Sequence, residues 1–185
     1  MRHVDHRLLA AARDCGHRSP ATAAAARALS LSGEHGALWL VAGLAGAAAD
    51  RERRRAWLRA TALTGAAHAV SMGVKRLVRR PRPDGGAALV RTAGRHSFPS
   101  SHATSATAAA LLFGALSPGA RRLAAPVAAA MCVSRLVVGV HYPTDVVAGA
   151  LLGAATATTG ARWAMRDVPA RPLLRGRAPG VWSRG

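Results

Sequence analysis

Apolar residues gather along this chain into five stretches, at about residues 36 to 49, 60 to 74, 103 to 116, 123 to 141 and 146 to 161, with short polar or basic joints between them. Each stretch predicts a helix. None shows a repeated charged face, and residues 103 to 116 carry no charge at all, which is unlike the amphipathic helices of a water-soluble bundle. Most are shorter than the ~20 residues of a membrane span, so each must extend into polar neighbours to cover ~30 Å of hydrocarbon. A soluble all-α bundle is the alternative on that ground. Residues 7 to 30 place Arg7, Arg13, Asp14, His17, Arg18, Pro20 and Arg27 among alanines, the pattern of an amphipathic or interfacial helix. The expected fold is all-α: a membrane-embedded bundle of five spans plus one surface helix, or six spans if residues 7 to 30 also cross. The chain divides into an N-terminal helix at 1–30, a transmembrane domain at 31–165 and a basic tail at 166–185.

The joints set a direction. Arg51 to Arg55, the turn at Ser117 to Arg122 and the tail from Arg162 all fall on one side of a five-span bundle, the cytoplasmic side by the positive-inside rule. Residues 75 to 102 and the joint at 142 to 145 then share the opposite, extracytoplasmic side. That side is also basic, through Lys75, Arg76, Arg79, Arg80, Arg82, Arg91 and Arg95, so function competes with topology for the same charges.

Composition changes the picture in one respect. Lys and Arg total 26 against 8 acidic residues, a net charge of +18, in a chain that is 50% apolar and rich in Ala and Gly. Small residues permit close helix packing and basic loops meet anionic headgroups, so a bilayer suits this chain better than nucleic acid does as a partner. No oligomeric state is legible. Cys15 and Cys132 lack any spacing for a metal or a disulfide framework and read as packing thiols. Arg2, His3, Asp5 and His6 open the sequence without a long apolar run, which predicts no removable signal peptide.

Three polar islands interrupt the apolar chain, and the five-span arrangement delivers all three to one membrane face. The first runs from Lys75 to Arg82 and Pro83; Lys75, Arg79 and Arg82 share a helical face until Pro81 ends the helix. The second is Ser97 to Thr104, where Ser100 and Ser101 sit at the start of an apolar helix whose free N–H groups make an anion site. The third is Ser134 and Arg135, then His141 to Asp145, with Pro143 suited to a first helical turn and Asp145 four residues beyond His141. Taken alone, each has a plainer reading: a headgroup-facing helix end, a serine-capped helix with a stray histidine, and a joint that faces water. Arg135 weighs against the last, because an arginine inside an apolar run costs about 2.5–3.5 kcal/mol and wants an anion. No acidic residue lies between Asp84 and Asp145, so a bound anion is the candidate partner unless Asp145 itself reaches Arg135.

Together the islands supply three cations, helix-start amides, two histidines and one carboxylate, an inventory that fits phosphoryl transfer. Lys75, Arg82, Arg135, Ser100 and Ser101 can meet the equatorial phosphate oxygens, the arginines bidentately. In-line displacement needs a nucleophile and an acid, and only His141 has a carboxylate at i+4. His141 is therefore the expected nucleophile, with Asp145 fixing its tautomer, and His102 the acid and later the base that activates water. No metal or other cofactor is required, and the cations disfavour a divalent ion in a His and Asp site. His35, His68 and His96 are further histidines that could line the cavity, though packing suits each of them better. Residues 84 to 98, with Gly85, Gly86 and Gly94, join the first two islands and would shape the entrance.

In order and spacing, the three islands resemble the signature motifs of the type-2 phosphatidic acid phosphatases, which share a core with vanadium haloperoxidases and bacterial class A acid phosphatases. The resemblance covers roughly residues 70 to 150. It implies a metal-independent lipid phosphate phosphatase in which Lys75, Arg82, Ser100 and Arg135 bind phosphate, His102 is the acid, His141 the nucleophile and Asp145 its partner. Ser101 departs from the usual glycine between serine and histidine, which alters the amide there and adds a hydroxyl. Short length, Arg and Ala richness and the segment Ser32 to Gly36 resemble small actinobacterial members, among them phosphatases of decaprenylphosphoryl-phosphoribose. The implied substrate is a membrane lipid phosphate or diphosphate, with a polyprenyl carrier first. Phosphatidate or phosphatidylglycerol phosphate is the alternative substrate, vanadate-dependent oxidation an alternative chemistry, and non-catalytic binding of anionic lipid an alternative role.

Overall fold

The computed structural model describes residues 2–83, 88–92 and 94–168. Seven helices account for most of them: α1 (Arg2–Arg18), α2 (Pro20–Ser32), α3 (Ala37–Ala49), α4 (Arg54–Val78), α5 (Ser101–Leu116), α6 (Pro118–Val137) and α7 (Pro143–Ala164), with a single 3-10 turn at Glu34–Gly36. Among the described residues there is no strand, only one isolated bridge between Pro81 and His96.

All five apolar stretches form helices, and all but the first form helices longer than their apolar runs. Ser100 and Ser117 each cap a helix through the side-chain oxygen, and Pro118 and Pro143 open α6 and α7 at their first turns. The expected single helix at 7–30 is two helices. Pro20 cannot continue α1, and Ser19 caps α2 by accepting from Thr22 N. Cys15 is exposed on α1 and so is not a packing thiol, while Cys132 is half-buried.

The uncharged stretch became the central helix. α5 is buried along nearly its whole length, packed among α4, α6 and α7, as expected for a helix that is apolar all round. Trp39, Trp57, Leu112, Phe113 and Met131 fill the core around it. On the α7 side the helices touch through backbone: a Cβ at Gly149 would lie 2.4 Å from Ser100 O, and one at Gly153 2.2 Å from Thr104 O. Two glycines one turn apart therefore set the α5–α7 distance. Across this contact Ser100 N donates to Asp145 O at 2.9 Å, joining the second and third islands.

The bundle has two chemically distinct ends. At one, Arg53 NH1 donates to Leu116 O at 2.7 Å and Arg59 pairs with Asp167, which gathers the joints expected on the cytoplasmic side. At the other end lie all three islands. Residues 169–185, most of the expected basic tail, are outside the described residues, as are Gly85 and Gly86.

The span expectation meets a limit. Among the described residues no helix is long and apolar enough to cross a membrane. α4 has the length, 25 residues or ~37 Å, but carries Arg54, Arg55, Arg59, Lys75 and Arg76. α3, the most apolar, has only 13 residues.

Candidate active site

A cavity of about 100 Å³ opens at the island end, and its wall includes Lys75, Arg82, Ser101, His102, Arg135 and His141. Residues 60 positions apart in sequence thus share one pocket. Ser100 and Asp145 stand just behind this wall, both fully buried. The Ser100 hydroxyl accepts from Ala103 N at 3.4 Å as the α5 cap, so Ser101 and not Ser100 presents its side chain to the cavity.

Lys75 occupies the last turn of α4, buried, and its Nζ donates to His96 O and Ser97 O at 3.3 Å. The helix stops at Val78, with Arg79 in the left-handed region at φ 52°. That turn breaks the expected alignment: Arg79 swings out to bond Arg76 O, while Arg80 and Arg82 turn inward. Arg82 is tied by Nε to Gly94 O at 2.8 Å and by NH1 to Val140 O at 2.9 Å, and its NH1 lies 3.4 Å from His141 Nε2.

This last contact fixes the tautomer of His141. A guanidinium can only donate, so Nε2 presents its lone pair and Nδ1 carries the proton. Nδ1 stands 3.6 Å from Asp145 Oδ2, an ion-pair distance longer than a hydrogen bond. Burial first, then the charges of Arg135, Arg82 and Lys75, hold the imidazole well below the ordinary histidine range, so it is neutral at pH 7. A neutral ring with an unprotonated Nε2, cations around it and a carboxylate behind is equipped to attack phosphorus.

Asp145 is more heavily engaged than its sequence position suggests. Oδ2 accepts from Tyr142 N at 2.8 Å, and Oδ1 accepts from Arg80 NH1 at 2.9 Å. Its cationic partner is therefore Arg80, and Arg135 is left with no acidic group at ion-pair distance among the described residues. Arg135 is 3% exposed and donates through NH1 to the Ser30 hydroxyl, while its Nε has no partner.

Ser30 is a residue the sequence did not single out. It lies on α2, and besides receiving Arg135 its carbonyl accepts from His102 Nε2 at 3.0 Å. Since a carbonyl only accepts, that nitrogen carries a proton directed at Ser30 O. Arg80, Asp5 and Ser30 are not legible as site residues in the sequence, because each lies within a basic run or an N-terminal helix of ordinary pattern. An acidic residue among the basic residues that open the chain is the available signal for Asp5.

The same cavity is also walled by Glu34, His35 and His68, together with Leu31 and Met72. His35 and His68 thus line it, and His96 does not. Val90, Arg91, Thr92 and Gly94 line it as well, so part of the segment 84 to 98 reaches the cavity. Among the described residues no three His, Cys, Asp or Glu side chains are grouped to hold a metal ion.

Comparison with known proteins agrees with the resemblance seen in the motifs. Residues 55–169 match the PAP2 superfamily. A decaprenylphosphoryl-5-phosphoribose phosphatase of Mycobacterium tuberculosis is 50% identical over 139 residues, covering 73% of this chain and 76% of its own length. The protein of the same name from Mycolicibacterium smegmatis is 48% identical over 134 residues, 70% and 72% of the two chains. Among solved structures, a transmembrane PAP2-type phosphatidylglycerolphosphate phosphatase from Bacillus subtilis shares the fold, with a TM-score of 0.68 at 20% identity over 95% of this chain and 89% of its own. The chain belongs to the PAP2 superfamily and sorts with its phosphatases.

Proposed function

We propose that the protein is a metal-independent lipid phosphate phosphatase that works through a phosphohistidine on His141, and that its substrate is a phosphomonoester on a polyprenyl-linked polyol. The observation that carries this reading is the posture of His141, its Nε2 lone pair turned to Arg82 and its Nδ1 proton to Asp145. Lys75, Arg82, Arg135 and the Ser101 hydroxyl meet the phosphate oxygens. The dianion offsets these cations and lets His102 become doubly protonated. His141 Nε2 then attacks phosphorus; the P–N bond forms, the ester P–O bond breaks, and His102 gives its proton to the departing alkoxide. Water next attacks phosphorus, passing a proton to His102, and the P–N bond breaks to release phosphate.

Two observations support the choice of substrate. Glu34, His35 and His68 wall the same cavity as His102, the group that protonates the leaving alcohol in this reading. A carboxylate repels phosphate but accepts from hydroxyl groups, and imidazoles complement them, so a hydroxyl-bearing alcohol fits better than a bare prenyl chain. The mycobacterial relatives carry the name of a phosphatase of such a lipid, decaprenylphosphoryl-5-phosphoribose. Membrane residence is supported by the outward faces of α3, α6 and α7, where Val41, Leu44, Leu123, Val133, Val147 and Leu151 are each more than half exposed. In this reading the site opens on the extracytoplasmic face.

The test measures phosphate release in EDTA from polyprenylphosphoryl phosphoribose, polyprenyl phosphate and diphosphate, and phosphatidate. His141→Ala should abolish turnover and the acid-labile phosphoenzyme while the protein still extracts in detergent. Retained turnover in that variant would sink the nucleophile assignment, and a preference for phosphatidate would sink the polyol.

A further inference from the structure

Behind the phosphate cavity a second layer of charge links the catalytic loop to the far N-terminus. Arg80 reaches two carboxylates from opposite sides: NH1 donates to Asp145 Oδ1 at 2.9 Å and NH2 to Asp5 Oδ2 at 3.0 Å. Thr144 closes the ring. Its hydroxyl accepts from Arg80 NH1 at 2.7 Å and donates to Asp5 Oδ2 at 2.7 Å, and its N–H donates to Asp5 Oδ1 at 3.1 Å. The Arg80 guanidinium also lies 4.2 Å over the ring of Tyr142, a cation–π contact that fixes its plane.

Asp5 is only 4% exposed and Asp145 is 0% exposed. Two carboxylates so deeply buried are tolerated as anions only when paired and fully hydrogen-bonded. For Asp5, burial opposes the charge, yet the hydrogen bonds from Thr144 and Arg80 overcome it and hold its pKa below the usual range. The α1 helix takes a second grip on the same loop through Arg13, whose NH2 donates to Gly139 O at 2.8 Å, where Gly139 turns the chain at φ 77°. Thus α1 holds the segment that carries His141 on both sides of it. This helix lies outside the matched residues 55–169.

We infer that Arg80 and Asp5 are positioning residues for the reaction: Arg80 fixes Asp145 as the orienting carboxylate of His141, and Asp5, reaching in from α1, fixes Arg80. The N-terminal helix is then a working part of the active site. This rests on His141 as nucleophile. The groups that face His141 are Lys75 from α4, Arg82 from the segment after it, His102 from α5, Arg135 from α6 and Asp145 from α7; Arg80 acts on it through Asp145. Removing Arg80 leaves the Asp145 charge uncompensated, which draws a proton onto the imidazole. The acid limb of kcat/KM, set by the need for a neutral His141, should therefore move to higher pH.

Kinetics of Arg80→Lys, Arg80→Ala, Asp5→Asn and the Arg80→Ala, Asp5→Asn double variant test this in detergent-extracted full-length protein. Arg80→Ala should lower kcat on the order of 10-fold to 100-fold, the scale for partners that orient a functional imidazole, with KM within about threefold because Arg80 does not line the cavity. Arg80→Lys, which keeps the charge but cannot fork between two carboxylates, should fall between it and the wild type. Asp5→Asn should cost less, and should add nothing in the Arg80→Ala background. An unmoved acid limb, a loss confined to KM, or additive effects of the two sites would overturn the inference. If Arg80→Ala does not fold, kcat and KM of Arg80→Lys and Asp5→Asn decide it: a fall in kcat with KM held supports the relay, and an unchanged kcat or a loss confined to KM overturns it. Wild-type kinetics in these variants would overturn the relay alone, whereas turnover by His141→Ala overturns the reading beneath it.

Discussion

Asp145→Asn isolates the contribution of one buried charge to the nucleophile. The carboxylate accepts on both oxygens: Tyr142 N reaches Oδ2 at 2.8 Å, with His141 Nδ1 3.6 Å from the same oxygen, and Arg80 NH1 reaches Oδ1 at 2.9 Å. An asparagine has one acceptor and one donor, so whichever way it turns its NH2 group opposes a donor. One hydrogen bond is lost and one buried donor is left unpaired, a cost of about 1–3 kcal/mol in stability. Catalysis should suffer in kcat. In a serine protease triad the same exchange lowers kcat by about 10⁴-fold through loss of the correct tautomer. Here the histidine and carboxylate are farther apart than a hydrogen bond and Arg82 independently holds Nε2 unprotonated, so the expected loss is smaller, on the order of 10²-fold or ~2.7 kcal/mol. KM should change little, because Asp145 does not line the cavity. The sign of the pH effect is opposite to that for Arg80: losing the nearby anion lowers the proton affinity of His141, so the acid limb of kcat/KM moves to lower pH. Steady-state phosphate release across pH, with phosphoenzyme measured in single turnover, reads all three quantities. An unchanged kcat, or an acid limb that moves upward, would refute the assignment of Asp145 as the orienting group.

Two further substitutions probe the frame and the phosphate cradle. Gly153→Ala places a methyl group 2.2 Å from Thr104 O, and since backbone cannot rotate away the expected cost is about 1–3 kcal/mol, read as a lower melting temperature; an unchanged melt would show that α5 and α7 can part freely. Arg135→Lys keeps the charge but loses the fork, and should lower kcat/KM by about 10- to 100-fold, the worth of one charge-assisted hydrogen bond of about 1.5–3 kcal/mol; equal activity would mean that Arg135 serves packing through Ser30.

What could be read from the sequence was whatever depends on neighbours along the chain. The uncharged run at 103 to 116 announced a helix without a charged face, Pro143 announced the start of α7, and the i, i+4 spacing announced that Asp145 could reach His141. The misreadings arose where a single backbone turn decided the outcome. Arg79 in the left-handed region sends its own side chain outward and turns Arg80 inward, a choice invisible to helical periodicity. Residues 7 to 30 looked like one surface helix because alanines and arginines give a similar pattern whether a helix lies on lipid or on protein. Only the contacts of Asp5, Arg13 and Ser30 with distant residues show which faces are occupied.

The same ambiguity governs the membrane question, and the geometry narrows it. Alanine and glycine contribute little hydropathy, so a helix built from them scores poorly as a span even when nothing polar faces outward. α7 spans 22 residues, ~33 Å, without a charge between Asp145 and Arg162, and it turns Val147 and Leu151 outward while Gly149 and Gly153 face α5. α6 likewise carries no charge between Arg122 and Arg135 and exposes Leu123 and Val133. Small residues inward and branched residues outward is the reverse of a water-soluble helix and is the arrangement an apolar solvent would favour, since there packing and not hydrophobic burial joins helices. Hence weak average hydropathy and close backbone contact are two results of one composition, and the second is what brings His102 and His141 to the same cavity.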